Sequence, residues 1–305
     1  MPIAFLFPGQ GSQTPRSGAE WQDAPQWSLV EAASEAAGLD VAHLLLVADA
    51  EELRDTANAQ LSTYVVSMMV AAALSDGGLS PTHVAGHSLG EYTALSAAGV
   101  LSPGDGARLV AARGMAMRSA AAANPGTMAA IIGLDVDAVA SVCIDVGADV
   151  WVANDNAPGQ VVIAGSADAV GSAGSLAKER GARRPMHLQV AGAFHTPLMA
   201  PAQDALDAAL AQTPFHSPTL LPWANVDASD HEQPGDWPGL LSAQLCSPVR
   251  WREEISAMAL AGADVFVEVG PGNVLSGMVK RIAPNAARHA VATPGAVADL
   301  VQNLR

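Results

Sequence analysis

The chain has 305 residues, half of them apolar, and a formal net charge of −15. This length and composition allow a substantial hydrophobic core, while the negative charge argues against partners such as nucleic acid or an anionic membrane surface. The two cysteines have no metal-ligand spacing, which favours free thiols. The N-terminal residues predict no signal peptide. The most apolar helical run, residues 61–74, is shorter than the roughly 20 residues that span a bilayer. We therefore expect a cytoplasmic protein, and a monomer.

The first third of the chain alternates short apolar runs with helical patterns. Ile3–Phe7 predicts a buried strand that ends at a Pro-Gly loop, and His83–Gly86 predicts a second strand. The second strand leads directly into an alanine-rich helix over residues 92–98. Pro103 opens a further helix, on which Arg113 lies.

From about residue 127 the pattern changes to short strands and helices in the order β-α-β-β-α-β. That order is typical of a ferredoxin-like subdomain. Strands are predicted over 128–133, 149–154, 160–164 and 185–190, and helices over 135–146 and 167–180. Because the flanking segments have an α/β pattern, we predict that residues 126–190 are inserted into a large α/β catalytic domain formed by residues 1–125 and 191–305.

The larger domain resumes after residue 196. Helices are predicted over 201–212, 237–245, 251–261 and 274–282, and strands over 219–225 and 264–269. The tail from Ala283 is weakly patterned and is expected to be peripheral. The fold class is therefore α/β, with an α/β-hydrolase-like large domain built on a parallel sheet and a ferredoxin-like small subdomain.

The run GHSLG at residues 86–90 fits the G-x-S-x-G nucleophile elbow. In an elbow, a sharp strand-to-helix turn exposes the serine, here Ser88, and the helix N-terminus behind it supplies positive potential. The amide of Leu89 can then donate to a developing oxyanion. The alternative is a serine that only caps a helix, but the strand before it and the helix after it favour the elbow.

A reactive serine needs a base. The best candidate is His195, which lies where a strand runs out into a Pro-containing helix start. His87 is adjacent to Ser88, but on an elbow its side chain is expected to point away, in a structural role. Gln10 lies in a glycine-rich turn after the first strand and could offer a second oxyanion donor. Arg113 alone would be interpreted as a solvated helix arginine.

Together these motifs resemble the malonyl-CoA:acyl carrier protein transacylases and the acyltransferase domains of polyketide synthases. The likeness runs from the first strand to about Ile282. It includes FPGQGSQ at 7–13, GHSLGEY at 86–92, ARG at 112–114, MAAIIG at 128–133, PGQVVIAG at 158–165, FH at 194–195, QL at 244–245, PVRW at 248–251 and EVGPG at 268–272.

The resemblance implies ping-pong transfer of a malonyl group from malonyl-CoA to the phosphopantetheine thiol of an acyl carrier protein, for fatty-acid or polyketide chain extension. It implies no bound cofactor and no metal. It assigns Ser88 as the nucleophile, His195 as its base, and the backbone amides of Gln10 and Leu89 as the oxyanion hole. The backbone carbonyl of Gln244 is expected to orient the histidine. Arg113 is expected to bind the malonyl carboxylate, and Phe194 to favour malonyl over branched acyl groups.

Basic residues are few in this acidic chain, yet eight of them fall into three sequence clusters. We interpret them as a positive rim for the carrier protein and coenzyme A; solvated helix faces are the alternative. The main candidates are Arg183, Arg184, Lys280 and Arg281, and the remaining four are Lys178, Arg180, Arg250 and Arg252.

Other interpretations remain open from sequence. A transacylase subunit of a malonate decarboxylase would use the same chemistry with a different carrier. A serine hydrolase or thioesterase of the α/β-hydrolase type would require Ser, Asp and His in that order and an HGGG-type loop, and neither is found. Residues 14–20 depart from the Gly-Met-Gly type turn of many relatives, so we expect a different entrance shape or carrier choice.

Overall fold

The computed structural model describes residues 2–147, 149–190 and 192–304. Helices surround two β-sheets, one of six strands and one of four. The strands are β1 (Ile3–Phe7), β2 (His83–Gly86), β3 (Thr127–Ile132), β4 (Val150–Ala157), β5 (Gln160–Gly165), β6 (Met186–His187), β7 (Leu221–Ala224), β8 (Ser229–Asp230), β9 (Val265–Val269) and β10 (Ala287–Val291).

The six-stranded sheet has the order β10-β9-β1-β2-β7-β8 and is parallel except for β8. Strand β1 is central and fully buried, and Phe7 at its end lies opposite Gly86 at the end of β2. The carboxyl ends of these two strands therefore meet at one edge of the sheet, which is where open α/β sheets bind ligands.

The helices cover both faces of this sheet and one face of the small sheet. They are α1 (Ser28–Ala37), α2 (Val41–Leu46), α3 (Thr56–Asp76), α4 (Gly90–Ala97), α5 (Pro103–Ala123), α6 (Val136–Val146), α7 (Ala167–Glu179), α8 (Ala200–Leu210), α9 (Trp237–Gln244), α10 (Trp251–Leu260), α11 (Val274–Ile282) and α12 (Pro294–Leu304).

The apolar run at 61–74 belongs to a longer helix than the sequence pattern indicated. Helix α3 has 21 residues, so it is long enough to cross a membrane, and the expectation based on its length was wrong. However, 78% of its most apolar window is buried inside the protein. Its apolar composition is therefore that of a core helix.

The four-stranded sheet is antiparallel throughout, with the order β4-β5-β3-β6. Together with α6 and α7 it has the predicted β-α-β-β-α-β order, so the ferredoxin-like subdomain within a mixed α/β fold is confirmed. Strand β6 is shorter than the predicted 185–190 because only Met186 and His187 pair with β3. The domain boundaries themselves stay a prediction.

The C-terminal tail is more ordered than its weak pattern indicated. Residues 287–291 form β10 and pair with β9 at the sheet edge, and α12 packs against α3 through the buried side chains of Val297 and Leu300. The expected peripheral position thus describes β10, which is the edge strand, while α12 adds two buried side chains to the core. A half-exposed edge strand that contains Arg288 and His289 lacks the apolar run by which the inner strands are recognised.

The two sheets are joined by a short seam. The backbone of Val249 exchanges hydrogen bonds with β4, donating to Ala153 O and accepting from Asp155 N, both at 2.9 Å. Arg252 on α10 forms a 2.7 Å ion pair with the buried carboxylate of Asp155. The small sheet is thus fixed to the large one close to the edge where β1 and β2 end.

Candidate active site

Ser88 lies on the sharp turn between β2 and α4, in the left-handed backbone region with φ of 55°. The turn depends on two glycines. A Cβ on Gly86 would lie 1.8 Å from the carbonyl carbon of Gly90, and one on Gly90 would lie 2.0 Å from Phe7 O. Only glycine permits these approaches, and a non-glycine residue in left-handed conformation is held under strain by its surroundings. The predicted elbow geometry is therefore present.

The side chains of Ser88 and His195 are in direct contact. Ser88 Oγ lies 2.7 Å from His195 Nε2, and His195 Nδ1 lies 2.9 Å from the backbone carbonyl oxygen of Gln244. Because a carbonyl only accepts hydrogen bonds, Nδ1 carries the proton and Nε2 presents its lone pair to the serine. The histidine is held in the tautomer that a general base requires, with a backbone carbonyl in the place of a carboxylate.

His195 is uncharged in this environment. Burial of the imidazole and, after it, the nearby charge of Arg113 lower its pKa to about 3. Its backbone φ of 61° is left-handed, like that of Ser88. Both members of the pair are thus held in unusual backbone conformations at the point where they meet.

Two backbone N–H groups beside the serine are free. Leu89 N–H at the start of α4 and Gln10 N–H in the turn after β1 have no hydrogen-bond partner within residues 2–147, 149–190 and 192–304. Gln10 lines the same cavity as Ser88. Both predicted oxyanion donors are therefore available to a ligand.

Arg113 is fully buried, in contrast to the solvated side chain that the sequence alone would suggest. Its Nη1 donates to Gln60 Oε1 at 2.8 Å, and its Nη2 donates to Gln244 Oε1 at 2.9 Å and to Ser88 Oγ at 3.0 Å. Burial lowers the pKa of the guanidinium. A cation thus lies directly beside the reactive hydroxyl, held by two neutral amides.

A cavity of about 300 Å³ opens onto Ser88 and His195. Gln10, Phe194 and Gln160 are in its lining, and most of the remaining wall is apolar. The apolar part includes Met117, Met128, Val162, Leu188, Val190 and Met278. The cavity is therefore largely apolar. We call the part of it at Ser88 and His195, where the buried Arg113 bonds Ser88, its inner end.

The structural role expected for His87 stays a prediction. His87 lines the same cavity as Ser88 but makes no hydrogen bond to it in the described residues. Its Nε2 lies 2.8 Å from Asn156 Oδ1, and its ring meets Trp251 edge to face. Burial lowers its pKa, so the ring is neutral and Nε2 donates to Asn156.

Two residues at the site were missed from sequence. Gln60 on α3 holds Arg113, and Asn225 after β7 holds the elbow: its Oδ1 accepts from Ser88 N–H and its Nδ2 donates to Gly86 O, both at 2.8 Å. Each of the two gave a signal in the sequence, because each is a polar residue where the pattern requires an apolar one. Gln60 lies inside the apolar α3, and Asn225 lies at the end of a buried strand.

The four main basic residues are exposed and form no ion pair within the described ranges. Arg281 reaches the β4–β5 turn, where it donates to Gln160 Oε1 at 2.7 Å and to Pro158 O. The backbone carbonyl of Gly159 in that turn accepts a hydrogen bond from Gly133 N–H. The backbone nitrogen of Arg183 lies beside Gly133. Arg183 and Arg281 therefore flank the β4–β5 turn, and Gln160 beside this turn lines the cavity. We call this side of the cavity its mouth.

Three of the other basic residues are already neutralised by acids of the chain. Arg180 pairs with Asp145, Arg250 with Glu253 and Arg252 with Asp155. The rim is therefore smaller than the sequence clusters suggested.

The departing loop at 14–20 does not line the cavity. It packs elsewhere: Gly18 N–H donates to Leu45 O at 3.1 Å, and a Cβ on Gly18 would lie 2.8 Å from Leu45 Cβ. The cavity lining begins at residues 9–12. The structure gives this loop no part in the cavity wall.

No group of three or more His, Cys, Asp and Glu side chains that could hold a metal ion is found in the described residues. Cys143 is buried and Cys246 is partly buried, and neither is in a disulfide.

The family model described as "Acyl transferase domain" matches residues 4–304. The chain belongs to this acyltransferase family. A malonyl CoA-acyl carrier protein transacylase from Bacillus subtilis is 41% identical over 308 residues, which covers 99% of this chain and 97% of the relative.

Solved structures agree with this assignment. An acyl carrier protein S-malonyltransferase from Vibrio cholerae is 39% identical, with a TM-score of 0.94 over 98% of this chain and 100% of its own. A malonyl-transacylase solved in complex with its type II polyketide synthase acyl-carrier protein is 35% identical, with a TM-score of 0.95 over 99% and 100% of the two chains. The recognition of the family from sequence motifs is thus confirmed.

Proposed function

We propose that this acyltransferase moves a malonyl group from malonyl-CoA to the phosphopantetheine thiol of an acyl carrier protein, through a malonyl ester on Ser88. The observation that carries the proposal is the buried guanidinium of Arg113, which donates to the same serine oxygen that His195 contacts. A plain serine hydrolase has no use for a buried cation at that point, whereas a carboxylate-bearing acyl group does.

In the first half-reaction, His195 Nε2 takes the proton of Ser88 as Oγ attacks the thioester carbonyl. The oxyanion that develops is stabilised by the free N–H groups of Leu89 and Gln10. The histidine then returns the proton to the leaving coenzyme A thiolate. The carbonyl of Gln244, 2.9 Å from Nδ1, keeps the ring in its orientation throughout.

In the second half-reaction, the thiol of the carrier protein enters the same cavity and attacks the ester. His195 again acts as base, and the proton finally returns to Ser88 Oγ. Because the Arg113 charge lowers the pKa of His195, a carboxylate bound to Arg113 offsets that effect and makes the imidazole a stronger base. The substrate itself thus improves the base that acts on it.

Acyl selection has two parts. Arg113 can hold the terminal carboxylate, and leaving this buried cation unmatched disfavours acetyl groups. Phe194, which is nearly fully buried in the cavity wall, leaves little room for a substituent on the α-carbon. The apolar walls suit the pantetheine arm that carries the acyl group.

Carrier recognition is assigned to the exposed cations at the mouth, namely Arg183, Arg184, Lys280 and Arg281. Carrier proteins are typically acidic, and coenzyme A carries phosphates. We assign the enzyme to fatty-acid or polyketide synthesis, as a cytoplasmic monomer without a bound cofactor. A malonate decarboxylase carrier is the alternative acceptor, since the chemistry at Ser88 would be the same.

Intact mass spectrometry tests the proposal. Mixed with malonyl-CoA, the enzyme is expected to gain one malonyl group, and to lose it when holo acyl carrier protein is added. The Ser88→Ala variant is expected to show no adduct. Ser96→Ala is the control and keeps the adduct, because it removes a hydroxyl on α4 that does not line the cavity. Hydrolysis of malonyl-CoA without an adduct or transfer would instead identify a thioesterase.

A further inference from the structure

Arg113 has only neutral partners in the described residues. Its three hydrogen bonds go to the amide oxygens of Gln60 and Gln244 and to the hydroxyl of Ser88. A buried arginine normally has a carboxylate against it, because an unpaired buried charge is costly. Among the described residues, no acidic side chain hydrogen-bonds to this guanidinium.

An acid does lie close by, separated from Arg113 by one amide. The side chain of Gln244 has its Oε1 towards Arg113 and its Nε2 towards Glu91, donating to Glu91 Oε2 at 2.8 Å. The same Glu91 oxygen accepts from Asn225 N–H at 3.1 Å. Glu91 is fully buried at the start of α4, three residues after the nucleophile.

A second buried acid shares the same neighbour. Glu254 on α10 is fully buried, and its Oε2 accepts from Asn225 Nδ2 at 3.0 Å. The other oxygen of each carboxyl, Oε1 of Glu91 and of Glu254, has no hydrogen-bond partner in the part of the chain that the structure describes. A buried carboxylate oxygen without a donor favours the protonated acid over the ion.

We propose that Glu91 sets the charge of the acyl-carboxylate site: while it holds a proton, Arg113 has no ionised counter-ion and is free to bind the carboxylate of the incoming acyl group. The proposal rests on the proposed function, because it takes Arg113 as the residue that binds the carboxylate. Glu91 acts through Gln244 and the electrostatic field at the cavity end. It is thus a positioning residue that touches neither the substrate nor the reacting atoms.

The charged and titratable groups around Glu91 agree with this assignment. Arg113 on α5 favours its ionised form, whereas Asp227 after β7 favours its protonated form. Glu254 on α10 and Tyr92 next to Glu91 on α4 complete the set, and the pKa of each is raised, chiefly by burial. For Glu91, burial outweighs the hydrogen bonds and the Arg113 charge and raises the pKa to about 8. Burial, and after it the nearby Glu91, raises the pKa of Glu254 well above its ordinary value.

A direction of pH dependence follows. Below about pH 8 Glu91 is neutral, and the malonyl carboxylate meets an uncompensated cation. Above that pH, Glu91 is ionised, partly neutralises Arg113 and repels the second carboxylate. The KM for malonyl-CoA therefore rises with pH, by roughly tenfold for a like charge one amide away. Acetyl-CoA has no acyl carboxylate, so its KM stays level.

The experiment measures KM and kcat for loading of Ser88 from pH 6.5 to 9.5, with malonyl-CoA and acetyl-CoA, in the parent enzyme, Glu91→Gln and Glu254→Gln. Glutamine at position 91 is a permanent copy of the protonated acid. We expect Glu91→Gln to abolish the alkaline rise in the malonyl-CoA KM and Glu254→Gln to retain it. A glutamate with only a packing role would leave the pH profile of KM unchanged when replaced.

Retention of the rise in a folded Glu91→Gln enzyme would overturn the proposal. So would an equal rise for malonyl-CoA and acetyl-CoA in the parent enzyme, a comparison that needs no variant. Failure of the proposed function is recognised separately, because the parent enzyme would then form no malonyl adduct at any pH.

Discussion

The inner end and the mouth of the cavity use positive charge in opposite ways. At the inner end a single cation, Arg113, is fully buried and held by amides and a hydroxyl. At the mouth, Arg183 and Arg184 are exposed and unpaired among the described residues, and Arg281 reaches across to the β4–β5 turn. The buried cation acts at short range with little screening, whereas the exposed cations act at longer range through solvent.

The difference separates two kinds of selection. In the proposed function, the buried guanidinium of Arg113 distinguishes acyl groups, because a buried charge left without a counter-ion cannot regain its hydration shell. Exposed cations cannot make that distinction, but they attract an acidic partner and orient it. We therefore expect changes at the inner end to alter which acyl group is loaded, and changes at the mouth to alter which thiol receives it.

The largest expected effect is that of Arg113→Ala. Removing a buried, hydrogen-bonded charge partner costs about 2–5 kcal/mol, so kcat/KM for malonyl loading should fall about 100-fold. Acetyl loading should fall far less, since no carboxylate is lost. Loading rates of the two thioesters, measured by quenched intact mass spectrometry, give the ratio.

Arg118→Ala is the matched control for that variant, because Arg118 lies on the same helix but is exposed and paired with Asp55. It should leave the malonyl-to-acetyl ratio at the parent value. An Arg113→Ala enzyme that keeps the parent ratio would contradict the clamp assignment, and with it the distinction between the two ends of the cavity.

A smaller effect is expected at the mouth. Arg183→Glu combined with Arg184→Glu should lower transfer from malonyl-Ser88 to carrier protein by about tenfold at low salt, and less at high salt, since the attraction is screened. Loading from malonyl-CoA should largely survive. The control is Arg54→Glu combined with Arg108→Glu, which reverses two exposed charges that do not line the cavity and should leave the rate of transfer to carrier protein near the parent value. Equal losses in both half-reactions would show that the mouth does not distinguish carriers.

The smallest effect concerns Phe194. Shortening it to alanine should improve methylmalonyl loading relative to malonyl by about 1 kcal/mol, or roughly fivefold, because removing a wall of an apolar pocket changes selectivity only modestly. Phe215→Ala is the control, because it removes a partly buried ring that does not line the cavity and should leave the preference between the two thioesters unchanged. Competition between the two thioesters measures the ratio, and an unchanged preference in Phe194→Ala would remove its specificity role.

The elbow and the two-sheet architecture were predictable because their signals are local. Short stretches of sequence are enough to recognise the run GHSLG, the strand before it, and each strand and helix in residues 127–187. The role of Arg113 and the contact of His195 with Ser88 came from the resemblance to the family. Nothing around Arg113 separates it from other helix arginines, and His195 was singled out from sequence only by its place before a Pro-containing helix start.

The rest depends on contacts that sequence patterns do not encode. Asn225 and its hydrogen-bond partner Ser88 are 137 residues apart in the sequence, and Gln244 and Glu91 are 153 apart. These pairs are brought together only when the sheet has formed. Glu91 was read as part of a motif, yet its hydrogen-bond donors, Gln244 on α9 and Asn225 after β7, lie far along the chain. Strand β10 was missed for a different reason, since half-exposed edge strands carry little pattern.

The seam between the sheets has a consequence for how the cavity receives its ligands. His87, beside the nucleophile, is bonded to Asn156 of the small sheet, and Val249 and Arg252 tie the same strand to the large one. Opening the cavity by swinging the sheets apart would break all of these bonds at once and displace the elbow. We expect the two sheets to remain one rigid body through the catalytic cycle. The conformational entropy of the site is then lost when the protein folds, so binding of coenzyme A or carrier protein requires no further ordering of the two sheets.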